Sequence, residues 1–124
     1  MNSRDAQLLQ LRPEILSARV DDTMSADEQF QNGTLRPVVK LQNDWLIEAF
    51  RNYITKHKNV FYNLTIERRM DYIANAIQKD IKFRNSLKGM VIGQFTVDEY
   101  RTYILNSSAL NKRMMNLVRE RIQN

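Results

Sequence analysis

Few residues in this chain are equipped for chemistry. His57 is the only histidine, it stands between Lys56 and Lys58, and there is no cysteine. One imidazole cannot build a multi-histidine metal centre. Without a thiol there is no disulfide, thiolate ligand or cysteine nucleophile. His57 could serve as a general base or bind a phosphate; the plainer reading makes it a solvated residue at a helix end. Asp80 and Arg84 stand four apart, the spacing of an ion pair on one helix face, with Arg84 on the apolar stripe. They read either as a salt bridge at the edge of the core or as a polar anchor in a pocket for a small anionic ligand. Asp44 and Glu48 are one turn apart, but Lys40 and Arg51 bracket them as a solvent-facing ladder of ion pairs. Gly33, Gly89 and Gly93 are isolated, so no glycine-rich phosphate loop exists. No catalytic residue, metal ligand or cofactor site is expected.

The net charge of +5 is unevenly placed. Residues 1–65 carry eight basic and eight acidic side chains, whereas residues 66–124 carry eleven and six. Arg68, Lys79 and Lys82, with Asn75 among them, share the outer face of one expected helix. Lys112 and Arg113, followed by Arg119 and Arg121, decorate the last. Such a basic surface could meet an anionic partner.

Helices must position these residues. Ser25–Glu28 and Thr96–Glu99 are capping boxes, and Thr65 is a third cap. Val38, Leu41, Trp45, Ala49, Phe50, Tyr53 and Ile54 recur at helical spacing, as do Ile66, Met70, Ile73, Ile77, Ile81, Arg84 and Leu87. Tyr100, Tyr103 and Ile104 are expected to face inward, with Phe95 stapled onto Tyr100. The last stripe is Leu110, Met114, Leu117, Val118 and Ile122. The reading is an all-α bundle of four main helices at about 35–56, 66–92, 97–106 and 108–122. A short helix at 26–32 ends at Gly33, and Thr34 caps the next helix; one helix from 26 to 56, kinked at Pro37, is the alternative. Residues 1–24 read as a mostly irregular strap on a single domain of 25–124. With 124 residues the chain is one domain in size, and no apolar run is long enough to span a bilayer. Cytoplasmic residence is the expectation.

The runs Phe30–Pro37, Lys58–Tyr62, Gln78–Asn85 and Ser107–Met115 resemble a group of short all-helical flavobacterial-type proteins of unknown role. Some of these carry a glyoxalase label. The likeness covers about residues 25–120 and implies a small helical domain. The label is not supported by these residues, because glyoxalases need clustered His and Glu metal ligands or a cysteine nucleophile. The function expected is therefore a non-catalytic interaction or small-ligand-binding module. A sequence-independent nucleic-acid binder using the basic second half comes next, and an enzyme third. If the apolar face around Met114 and Met115 stays exposed, it offers a homodimer surface on the C-terminal helix.

Overall fold

The computed structural model describes residues 1–124 and is all-α, without a strand. Its elements differ from the expected ones at three places.

The first is the N-terminal strap, which opens with a helix, α1 (Ser3–Leu11). Asn2 caps it, its side-chain oxygen accepting from the Asp5 amide at 2.7 Å. The only buried residue of α1 is Asp5, which is why no apolar period announced the helix. Residues 12–25 then run irregularly to α2 (Ala26–Phe30), where Ser25 caps as expected.

The second difference lies at Gly33, which does not end a helix. A π-helical turn, Gln31–Leu35, carries the chain directly into α3 (Arg36–Leu41). Its wider ring accommodates Pro37 without the usual clash on the preceding turn. It also turns Thr34 inward, buried rather than capping. A Cβ on Gly33 would meet a Val20 methyl at 3.2 Å, so glycine here lets the strap pass close by. The helical run breaks instead at Gln42, whose side-chain amide donates to the Met90 carbonyl at 2.9 Å. After it, α4 (Asn43–Lys56) buries Leu46, Phe50 and Ile54 and leaves Trp45 62% exposed, against its expected inward place.

The third is at Asp80. The expected 66–92 helix is two, α5 (Ile66–Lys79) and α6 (Ile81–Ile92). Asp80 is extended (φ −87°, ψ 97°) and caps α6 by accepting from the Phe83 amide at 3.1 Å. Short aspartate side chains compete with the helix for amides, so a cap is where one settles. The break turns Ile81 to solvent, and Ile66 at the start of α5 is exposed too.

α4 closes in a Schellman turn: the Asn59 amide donates to the Ile54 carbonyl and the Lys58 amide to Thr55. The residue after its cap must be left-handed, and that residue is Lys58 (φ 63°), followed by Asn59 (φ 60°). Glycine is the usual occupant; a lysine there costs about 1 kcal/mol. A 3₁₀ turn, Val60–Asn63, leads to Thr65, the cap of α5.

α7 (Val97–Ile104) starts with the expected capping box. Of its three apolar candidates only Tyr103 is buried, and Phe95 packs edge-on against Tyr103 and Phe30, not Tyr100. α8 (Ser107–Gln123) is the central helix, packed against α3, α4, α5, α6 and α7. Met114, Met115, Leu117, Val118 and Ile122 are all buried within one chain. The condition for a dimer through this face, that it stay exposed, is not met.

Candidate functional site

The break at Asp80 brings the α5–α6 corner against the last turns of α4. Two depressions meet there and share Tyr53, Asp80 and Lys82. One, of about 340 Å³, lies between α4 and α6; the other, of about 570 Å³, reaches α5 and includes Tyr72 and Lys79. Both volumes fall within the range of small-molecule sites, roughly 300–1,000 Å³.

Tyr53 is their common wall. The His57 ring stacks on it, centroids 4.0 Å apart and planes 24° apart. Phe83 lies on Tyr53 at 4.3 Å and 33°. Two rings this near and this parallel cannot share one face, so His57, Tyr53 and Phe83 form a column with Tyr53 in the middle. His57 Nδ1 is 2.8 Å from the Tyr53 carbonyl. A carbonyl only accepts, so Nδ1 carries the proton and Nε2 is left free. Burial pushes the Tyr53 phenol above its ordinary value, and the nearby Asp80 carboxylate adds to this. Burial raises Tyr72 as well. Both stay protonated at neutral pH and act as polar walls rather than as bases.

Lys56, Lys79 and Lys82 line the depressions, are exposed, and have no acidic partner. The one carboxylate among them, Asp80, is held by its capping bond to Phe83. Cations thus outnumber anions around a concave, partly aromatic surface, a composition that favours a bound anion.

The sequence candidates divide accordingly. Asp80 lines the site, but Arg84 makes no ion pair with it, because a capping aspartate lies outside the helix face on which a four-residue pair would form. Of the expected basic surface, Lys79 and Lys82 belong to the site. Arg68 lies on α5 three turns away, about 16 Å of helix rise. The Arg113 guanidinium is spent on Gln31 Oε1 at 2.8 Å, and Lys112 is exposed on α8. Sequence reasoning assigned Tyr53 to the core stripe and overlooked Phe83, because only tertiary packing brings the end of α4 to the start of α6. No group of three His, Asp or Glu side chains converges as a metal site.

A second polar centre joins α1 to the α6–α7 connection. Arg12 forks onto Glu99 with two bonds of 2.6 Å and donates to the Gln94 carbonyl at 2.8 Å. Glu99 also accepts from the Thr96 amide at 2.8 Å and from the Thr34 hydroxyl at 3.0 Å. Arg4 donates to the Gly93 and Phe95 carbonyls, and Asp5 accepts from the Val97 amide at 3.0 Å. The arginines therefore cover carbonyls just past the end of α6, and Asp5 covers an amide at the start of α7. Each charge sits where the helix dipole favours it. The capping box was legible in Thr96 and Glu99; the partner 87 residues away was not.

This clasp makes stability acid-sensitive. The Val97 amide, outweighing burial, holds the Asp5 carboxyl below its ordinary value. Burial alone would raise Glu99, but the Arg12 fork and the Thr96 amide outweigh it and the carboxyl is lowered. Both carboxyls are thus stronger acids folded than unfolded. Their stabilisation is complete above the unfolded values, near 3.8 and 4.5, and is lost as pH falls through the folded ones. Urea midpoints measured from pH 7 to pH 3 should drop below about pH 4.5, and Glu99→Gln should flatten the drop. Equal pH profiles for the two proteins would refute this origin.

No helix is long and apolar enough to cross a membrane. No known protein family, curated protein or solved structure matches this chain.

Proposed function

We propose that this protein is a non-catalytic module that binds a small anionic ligand in the paired depressions around Asp80. The observation that carries the reading is the set of three unpartnered lysines, Lys56, Lys79 and Lys82, around a concave surface walled by Tyr53. Lysines free of acidic partners in a recess bind an anion with little competition from within the protein. A nucleic-acid strand would need cations along a continuous track. Here Lys56, Lys79 and Lys82 gather at one corner, while Arg68 and Lys112 lie elsewhere and Arg113 is engaged.

The test is thermal unfolding of the full chain with sodium pyrophosphate as the probe. At a hundredfold excess over Kd, binding to the folded state adds about 2.7 kcal/mol, and Tm should rise. Lys56→Gln, Lys79→Gln and Lys82→Gln combined should abolish the rise. An identical rise in the triple variant, or none in the wild type at millimolar pyrophosphate, would refute the proposal.

A further inference from the structure

We propose that the anion is a phosphate monoester carried on a planar aromatic ring, with the ring stacked on the exposed His57 and the phosphate held by Lys56, Lys58 and Lys82. This rests on the anion-binding reading above.

The column carries the argument. Tyr53 has both faces covered, by His57 and by Phe83, and Phe83 is half-buried. His57 is exposed and Tyr53 is its only aromatic neighbour, so it forms the solvent-side end of the column. An added planar ring would continue an existing stack, and the bond from Nδ1 to the Tyr53 carbonyl fixes the imidazole plane beforehand. Such preorganisation removes part of the ordering cost of binding.

The second observation is independent of the first. Lys58 holds the left-handed position of the α4 terminal turn, next to His57, where its backbone is disfavoured (φ 63°). Uncommon backbone states of this kind cluster at ligand sites. Here the strained residue directly follows His57 in the chain, while Lys56 and Lys82 line the same depression as His57. Three lysines opposed by Asp80 leave about two positive charges, which a phosphate monoester dianion balances.

Isothermal titration of the full chain with adenosine 5′-monophosphate, inorganic phosphate and adenosine separates the possibilities. The nucleotide should bind at least about tenfold tighter than inorganic phosphate, the scale of one stacked base. His57→Ala should erase that advantage while leaving phosphate affinity unchanged. Lys58→Gly should weaken the nucleotide and phosphate alike by about two- to fivefold. This variant relieves the terminal turn, so it should melt no lower than wild type, and lost binding is then not lost folding. Equal affinity for nucleotide and phosphate would overturn the ring while the anion site stands. Adenosine binding as tightly as its phosphate would overturn the monoester. Unaltered affinity in Lys58→Gly would overturn the role of Lys58, and no binding of any probe would overturn this inference and the function it rests on.

Discussion

Replacing Arg12 with alanine is expected to cost about 3 kcal/mol of folding stability, a large share of the roughly 5–15 kcal/mol available to a domain of this kind. The Arg12 side chain is 6% exposed and that of Glu99 is 18% exposed. Removing the guanidinium would strand a carboxylate whose remaining partners are one amide and one hydroxyl. The penalty is mostly that stranded charge, not the worth of the pair, so Arg12→Met with Glu99→Leu should recover most of it. Arg101, whose pair with Asp98 is 3.5 Å long and open to water, supplies the contrast: its alanine variant should differ by less than about 0.5 kcal/mol. Urea titrations of the four proteins decide the matter. An Arg12→Ala midpoint matching wild type would show that the fork is incidental to folding.

The other large effect concerns the register of α4. Leu46→Ala should lose about 2–5 kcal/mol, because a fully enclosed leucine leaves both a transfer deficit and a cavity. Trp45→Ala, deleting the larger side chain one residue earlier, should change stability by less than about 0.5 kcal/mol. Chemical denaturation of both variants tests the ordering, and the reverse order would place α4 about 100° away from its described orientation.

That register marks where sequence reasoning holds and where it stops. Serine and threonine caps at Ser25, Thr65 and Thr96 are local signals, each complete within three residues, and all three caps form. The stripes of α5 and α8 are repeated often enough to survive one misassigned position. Trp45 and Leu46 are adjacent on α4, and the choice between them turned on Gln42, whose bond to Met90 resets the helical phase from 48 residues away. Asp80 carried a usable signal, since aspartate prefers caps to helix interiors. The apolar spacing of Ile77, Ile81 and Arg84 ran straight through it and hid the break. The site suffered for the same reason. His57 and Asp80 were singled out separately, but nothing in their spacing says that α4 ends where α6 begins, or that Tyr53 stands between them.

The clasp on α1 has a consequence for biosynthesis. Beyond α1 itself, everything that Arg4 and Arg12 hold lies between Gly93 and Glu99, so α1 leaves the ribosome long before its dock exists. At translation rates of about 5–20 residues per second, the 82 to 91 residues between them take roughly 4–18 s to make. For that interval residues 1–12 lack the contacts that fix α1, and their backbone is open to proteases that need an extended segment.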